Sequence, residues 1–206
     1  FSSAKQRVTT YLMSVSKSPV PYLGGGISPI VGKPLYNIFS YRWEGLDPLN
    51  GDPIGYFEGK QSKDYSAIFN RSSLDSMIHN GPMQPVVFGA LRNTLSYRNL
   101  TLSFNISYKF GGYFRTPSVN YSGINYGRGG HGDYALRWQQ PGDESRTHVP
   151  SYVASSDANR DMFYQNADVL VQKSDVIRLE DLNLSYALNR NAIRKLPFKS
   201  VNLFVY

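Results

Sequence analysis

The chain has 206 residues, with 22 Lys+Arg against 15 Asp+Glu, a formal net charge of +7 and no cysteine. The missing thiols exclude a disulfide scaffold, a thiolate zinc site and a cysteine nucleophile. No apolar run reaches the roughly 18 residues that a transmembrane helix needs, but alternating strands average to low hydropathy and leave a membrane β-barrel open. The basic residues are scattered, from Lys33 and Arg42 to Arg128 and Arg137; only Arg190 to Lys199 gathers four within ten positions. Without a continuous basic stripe no nucleic-acid partner is expected.

In chain order, Val8 to Val15 and Pro34 to Trp43 are the first candidate strands, joined by a short connection around Gly24 to Gly32. A long segment rich in Gly, Pro, Asp and Tyr follows, from Glu44 to Gln84. Val86 to Tyr97 is a strand with Val87, Gly89, Leu91, Leu95 and Tyr97 on one face, and Arg98-Asn99 is a two-residue hairpin connection. Leu100 to Phe110 alternates strictly: Leu100, Leu102, Phe104, Ile106, Tyr108 and Phe110 against Thr101, Ser103, Asn105, Ser107 and Lys109. After a second long segment, Thr116 to Ser174, the strand Ile177 to Leu188 sets Leu182, Leu184, Tyr186 and Leu188 opposite Asp181, Asn183, Ser185 and Ala187. Asn189 to Ser200 is a further short connection, in which Asn191 to Leu196 carries the one helix signal, a turn or two. A last strand begins at Val201 and is still alternating at Tyr206. No basic n-region with an apolar h-region opens the chain at Phe1, so the sequence reads as a piece of a longer protein.

Soluble strands commonly run about 5–6 residues. The run Leu100 to Phe110 spans roughly 35 Å at about 3.3 Å per residue. Tilted by about 40° it rises near 27 Å, the thickness of an outer-membrane hydrocarbon layer. Short connections alternate with long ones, which places turns at one rim and loops at the other. The expected fold is all-β: a transmembrane up-and-down antiparallel β-barrel. The competing expectation is a secreted aromatic-rich β-sandwich that binds carbohydrate, its strands facing a dry core.

Three ordered stretches carry a family resemblance. They are Gly32-Lys-Pro-Leu-Tyr-Asn-Ile-Phe-Ser-Tyr-Arg-Trp-Glu-Gly-Leu-Asp-Pro-Leu-Asn-Gly-Asp-Pro53; Gly81-Pro82, Pro85, Phe88-Gly89, Asn93-Thr94 and Tyr97 running into Leu102-Ser103-Phe104, Tyr108 and Gly111-Gly112; and Arg137-Trp138, Pro141-Gly142-Asp143-Glu144, Thr147 and Pro150 followed by Ile177-Arg178-Leu179 and Leu184-Ser185-Tyr186. Together they resemble the TonB-dependent outer-membrane transporters of the SusC/RagA type. The resemblance implies that residues 1–206 form the C-terminal part of a barrel of about 22 strands. This part would supply about six strands, with long extracellular loops near 44–84 and 116–174; the plug and the N-terminal regions are absent from it. It further implies a multi-pass bacterial outer-membrane protein that imports oligosaccharides or peptides, is energised by TonB, works under a SusD-like lipoprotein lid, and forms homodimers of transporter–lid pairs. No cofactor and no enzyme activity are implied.

The candidate ligand or lid contacts are in those loops: Tyr56, Tyr65, Tyr126, Tyr134, Arg137, Trp138, Asp143 and Glu144. Aromatics there give flat contact area at little entropic cost. Asp143 and Glu144 are adjacent, so they do not suit the opposed carboxylates of a glycosidase; a turn pairing with Arg137 is expected instead. Asp47, Asn50 and Asp52 read as Asx turns rather than a calcium loop. Gly127 to Asp133 reads as a flexible loop rather than an anion nest. His79, His131 and His148 lack metal-ligand spacing.

Overall fold

The computed structural model describes residues 1–155, 157–188 and 201–205. The strands are β1 (Ser2–Ser3), β2 (Asn37–Ser40), β3 (Gly45–Leu46), β4 (Pro53–Phe57), β5 (Lys60–Ser62), β6 (Ile78–Pro82), β7 (Val87–Tyr97), β8 (Leu100–Phe110), β9 (Tyr113–Arg115), β10 (Val171–Lys173), β11 (Val176–Leu188) and β12 (Val201–Val205). The helices are α1 (Val20–Leu23), α2 (Tyr65–Arg71), α3 (Tyr121–Asn125) and α4 (Ala158–Gln165). The chain divides into two compact units: residues 1–4, 85–111 and 174–206 in one, residues 5–84 and 112–173 in the other.

The first unit is an open antiparallel sheet in the order β1-β7-β8-β11-β12. The β7–β8 turn is as short as expected, with Tyr97 opposite Leu100 and Arg98 at φ 54°. Register gathers the apolar positions on one face: Leu91 lies opposite Ile106, Leu95 opposite Leu102, and Leu102 opposite Leu184. β11 keeps to this rule through a bulge. Ile177 and Leu179 pair with Tyr108 and Ile106 at odd positions, the register shifts at Glu180, and Leu182 and Leu184 then pair with Phe104 and Leu102 at even positions. Without the extra residue, half of the strand would turn its leucines to the other face. Leu91, Leu95, Ile177, Leu179, Leu182 and Leu184 are 44–68% exposed, so the apolar face is open along its length. The opposite face carries polar rows, with Arg92 across from Asn105 and Asn105 across from Asp181. Gly89, opposite Tyr108, leaves room for that ring: a Cβ there would lie 2.6 Å from the Tyr108 hydroxyl.

The second unit joins the two segments expected as long loops to residues 5–43, expected as strands and a short connection, and it has a core of its own. Its sheets are short: β2 with β6, β3-β4-β5, and β9 with β10. One apolar cluster joins Leu23, Tyr41, Tyr65, Ile68 and Phe163; a second joins Val119, Tyr121, Val149, Tyr164 and Leu170. Adjacent residues of α4, Phe163 and Tyr164, enter different clusters, and Trp43 packs against both, its ring 6.3 Å from Phe163 and 5.8 Å from Tyr164. Each of the two longer helices starts on an aspartate: Asp64 accepts from the Ala67 amide and Asp157 from those of Asn159 and Arg160.

Several expectations are corrected. Val8 to Val15 forms no strand; its alternation breaks at Thr9-Thr10 and again across Tyr11-Leu12-Met13, and Val8 only exchanges backbone bonds with Gly32 and Lys33. Pro34 to Trp43 contracts to β2, whose four residues are all buried and which pairs with β6 rather than joining the five-stranded sheet. Helices are more numerous than the single expected turn, because Asp64 and Asp157 cap short segments that the tertiary core then holds. The sheet does not close on itself, so a barrel is not completed by these strands. A β-sandwich would need this face dry, whereas among the described residues its leucines and isoleucine are open. The 189–200 connection, the helix signal at 191–196 and the basic cluster at 190–199 lie outside the described residues.

Candidate functional site

The candidate residues all belong to the second unit, which sorts them into inside and outside. Tyr65 is buried in the first cluster and donates its hydroxyl to the Pro53 carbonyl at 2.8 Å. Trp138 is buried too, against Gly51, where a Cβ would approach the indole to 2.5 Å. These two side chains hold the unit together and present no contact surface. Tyr126, by contrast, is 71% exposed, beside the Arg128 guanidinium. Tyr56 is half-buried, hydrogen-bonded through its hydroxyl to Glu44, with Arg42 4.7 Å above its ring.

Asp143 and Glu144 form the expected turn with unexpected partners. Asp143 accepts from the Gln139 and Gln140 amides, each at 3.0 Å; Glu144 accepts from the Trp138 indole at 3.1 Å and the Gly142 amide at 2.8 Å. Hydrogen bonds from backbone N–H groups and from the Trp138 indole hold the Glu144 pKa below its ordinary value. Arg137 turns instead to Tyr134, donating to its carbonyl at 2.9 Å and lying 4.2 Å over its ring. Local aromatic stacking thus replaces the expected ion pair. The Tyr134 ring meets Tyr121 and Tyr152 edge-on, at 6.3 and 6.1 Å. A cavity of about 330 Å³ beside Arg137 is lined by Asp133, Arg146 and His148 as well.

The Asx turns at Asp47 and Asn50 are formed: the Leu49 amide donates to Asp47 at 2.8 Å and the Asp52 amide to Asn50 at 3.1 Å. The carboxylates face cations, Lys63 2.6 Å from Asp47 and Arg160 2.9 Å from Asp52. In the 127–133 loop, Gly127 and Gly129 adopt positive φ, and Asp133 accepts from the Ser118 hydroxyl at 2.6 Å. A cavity of about 500 Å³ opens there, lined by Asn120, Ser122, Arg128 and His131.

Arg160 and Arg115 were not legible as structural residues. Arg160, 3% exposed, adds to its Asp52 pairing bonds to the Ser151 carbonyl at 3.0 Å and hydroxyl at 3.1 Å. Arg115 donates to the carbonyls of Leu23 and Phe39, each at 2.6 Å. The spacing of Asp157 and Arg160 at a helix start was the one available signal. Their partners are too distant in sequence to be read.

No protein-family model matches the chain, and no curated protein matches its sequence. Solved structures do match. Over 87% of this chain and 19% of the other, it superposes on a chain of the RagAB peptide transporter with TM-score 0.56 and 18% identity. The RagAB peptide importer in its "closed-closed" state gives TM-score 0.56 over 85% of this chain, and in its "open-open" state 0.52 over 81%, at 18% and 17% identity. The likeness is one of fold. This chain spans about a fifth of the length of the transporter chains it matches. Among the described residues no helix is long and apolar enough to cross a membrane.

Proposed function

We propose that this chain is a C-terminal section of an outer-membrane β-barrel that imports oligomeric nutrients, peptides or oligosaccharides. One observation carries the reading: an exposed apolar face runs across β7, β8, β11 and β12, and a bulge in β11 preserves it where simple alternation would break it. An open apolar face of this extent suits lipid, with the polar rows facing a wet lumen. The fold likeness to the RagAB peptide transporter supports the same reading.

In this reading the five-stranded sheet is wall, continued by further strands of a longer protein, and the second unit is a folded assembly of extracellular loops. TonB supplies energy through a plug elsewhere in that protein, and a SusD-like lipoprotein closes over the loops. The exposed or half-exposed candidates, Tyr56, Tyr126, Tyr134, Arg137, Asp143 and Glu144, meet lid or ligand; Tyr65 and Trp138 keep the loops in shape. The importer has no catalytic residue. The test is uptake of labelled peptides and oligosaccharides by cells carrying the full-length protein, with and without TonB and the partner lipoprotein. Uptake that needs both supports the proposal. Uptake indifferent to both, or hydrolysis of the oligosaccharide by the purified protein, overturns it.

A further inference from the structure

A cavity of about 390 Å³ lies in the second unit where the β4–β5 hairpin and the segment after α2 meet β2's end; Tyr41, Arg42, Glu58, Arg71 and Ser76 are among its lining residues. Arg42 sits 4.7 Å over the Tyr56 ring and Arg71 5.3 Å over the Phe57 ring. A guanidinium held over an aromatic ring keeps N–H donors that can meet a carboxylate bidentately. Among the described residues neither arginine has an ion-pair or hydrogen-bond partner.

We propose that this cavity binds a carboxylate, the free C-terminus or an acidic side chain of a peptide-sized ligand, through Arg42 and Arg71. Two guanidiniums and the Glu58 carboxylate leave the lining with a single net positive charge, which the nearby Asp168 and Glu44 carboxylates reduce further on the Arg42 side. That balance suits a monoanion better than a phosphate dianion. The site claims binding alone and stands whether or not the import reading holds.

The experiment is saturation-transfer NMR on the full-length protein in detergent, with three probes: acetyl-dialanine with a free C-terminus, its C-terminal amide, and acetyl-glutamate amide. A free-acid probe should bind at least about tenfold more tightly than the amide, as expected for losing a charge-assisted hydrogen-bond pair. Arg42→Gln and Arg71→Gln should each weaken it by a similar factor, and Glu58→Gln should tighten it. Binding of the first acid alone assigns the site to peptide termini; binding of both acids assigns it to any carboxylate. Equal binding of acid and amide, or acid binding unchanged in both arginine variants, overturns the proposal. Arg42 and Arg71 are exposed, so their replacement leaves the fold in place, and melting curves of the variants check this.

Discussion

Replacing Arg160 by methionine should loosen the second unit locally while leaving the five-stranded sheet intact. The side chain is nearly fully buried and joins Asp52, Ser151 and, at 5.8 Å, the Tyr121 ring. Methionine keeps much of the volume, so what is lost is the charge and its bonds. Removing one partner of a buried pair costs about 3–5 kcal/mol. Asp52 retains 23% side-chain exposure and has Lys63 at 3.9 Å, which sets the cost at the lower end. About 3 kcal/mol corresponds to a roughly hundredfold rise in the local opening equilibrium. Hydrogen exchange read by mass spectrometry on the full-length protein should show that rise at amides of α4 and of Ser151, with β7 and β8 unchanged. Asp52→Asn keeps an acceptor for the guanidinium and should cost less, about 1–2 kcal/mol, and the double variant should fall short of additivity. Exchange within threefold of the parent in Arg160→Met would refute the account of this pair.

Phe104→Arg should impair insertion of the barrel far more than Asn105→Arg, because a charge on a lipid face near the bilayer midplane costs roughly 2–4 kcal/mol while a lumen position is tolerant; equal heat-modifiable migration of the two variants would contradict the face assignment. Gly51→Ala should destabilise the second unit, since the residue sits at φ 70° and a Cβ would press on the Trp138 indole; overpacking and the backbone term together cost about 2–4 kcal/mol, checked by the melting of Trp138 fluorescence. Acidification should release the 138–144 turn. The folded Glu144 pKa is depressed, so its contribution is complete above the unfolded value of 4.5 and is lost as pH falls through the folded one. The Trp138 emission change should follow that window and vanish in Glu144→Gln.

The strands β7 and β8 were readable because a period of two fixes which face each side chain takes, using neighbours alone. The parity switch in β11 was also in plain sight, since Ile177 and Leu179 are odd and Leu182 is even, but recognising it needs the pairing partner that forces the bulge. The second unit was not readable. Its core joins Tyr41, Ile68, Val119 and Phe163, and its buried ion pair joins Asp52 to Arg160, separations that no local pattern reports. Gly- and Pro-rich composition suggested open loops, whereas the aromatics among them close two apolar clusters. Of the candidate site residues, Tyr126 lies on the surface, but Tyr65 and Trp138 are core; exposure of an aromatic in a loop depends on tertiary packing, not on its neighbours. Arg137 shows the same limit, its cation taken by Tyr134 three residues before it rather than by the acidic pair after it.

The central claim is that the apolar face of the five-stranded sheet meets lipid. No native thiol interferes within these 206 residues, so single cysteines can be placed along β8 and β11 of the full-length protein and spin-labelled in the outer membrane. Oxygen accessibility, high in lipid, should peak at 102, 104 and 106 and fall at 103, 105 and 107. Along β11 it should peak at 177 and 179, then, after the bulge, at 182 and 184, with 181 and 183 accessible to a water-soluble relaxer. Accessibility that fails to alternate along β8, or that keeps one parity through Glu180, would contradict it.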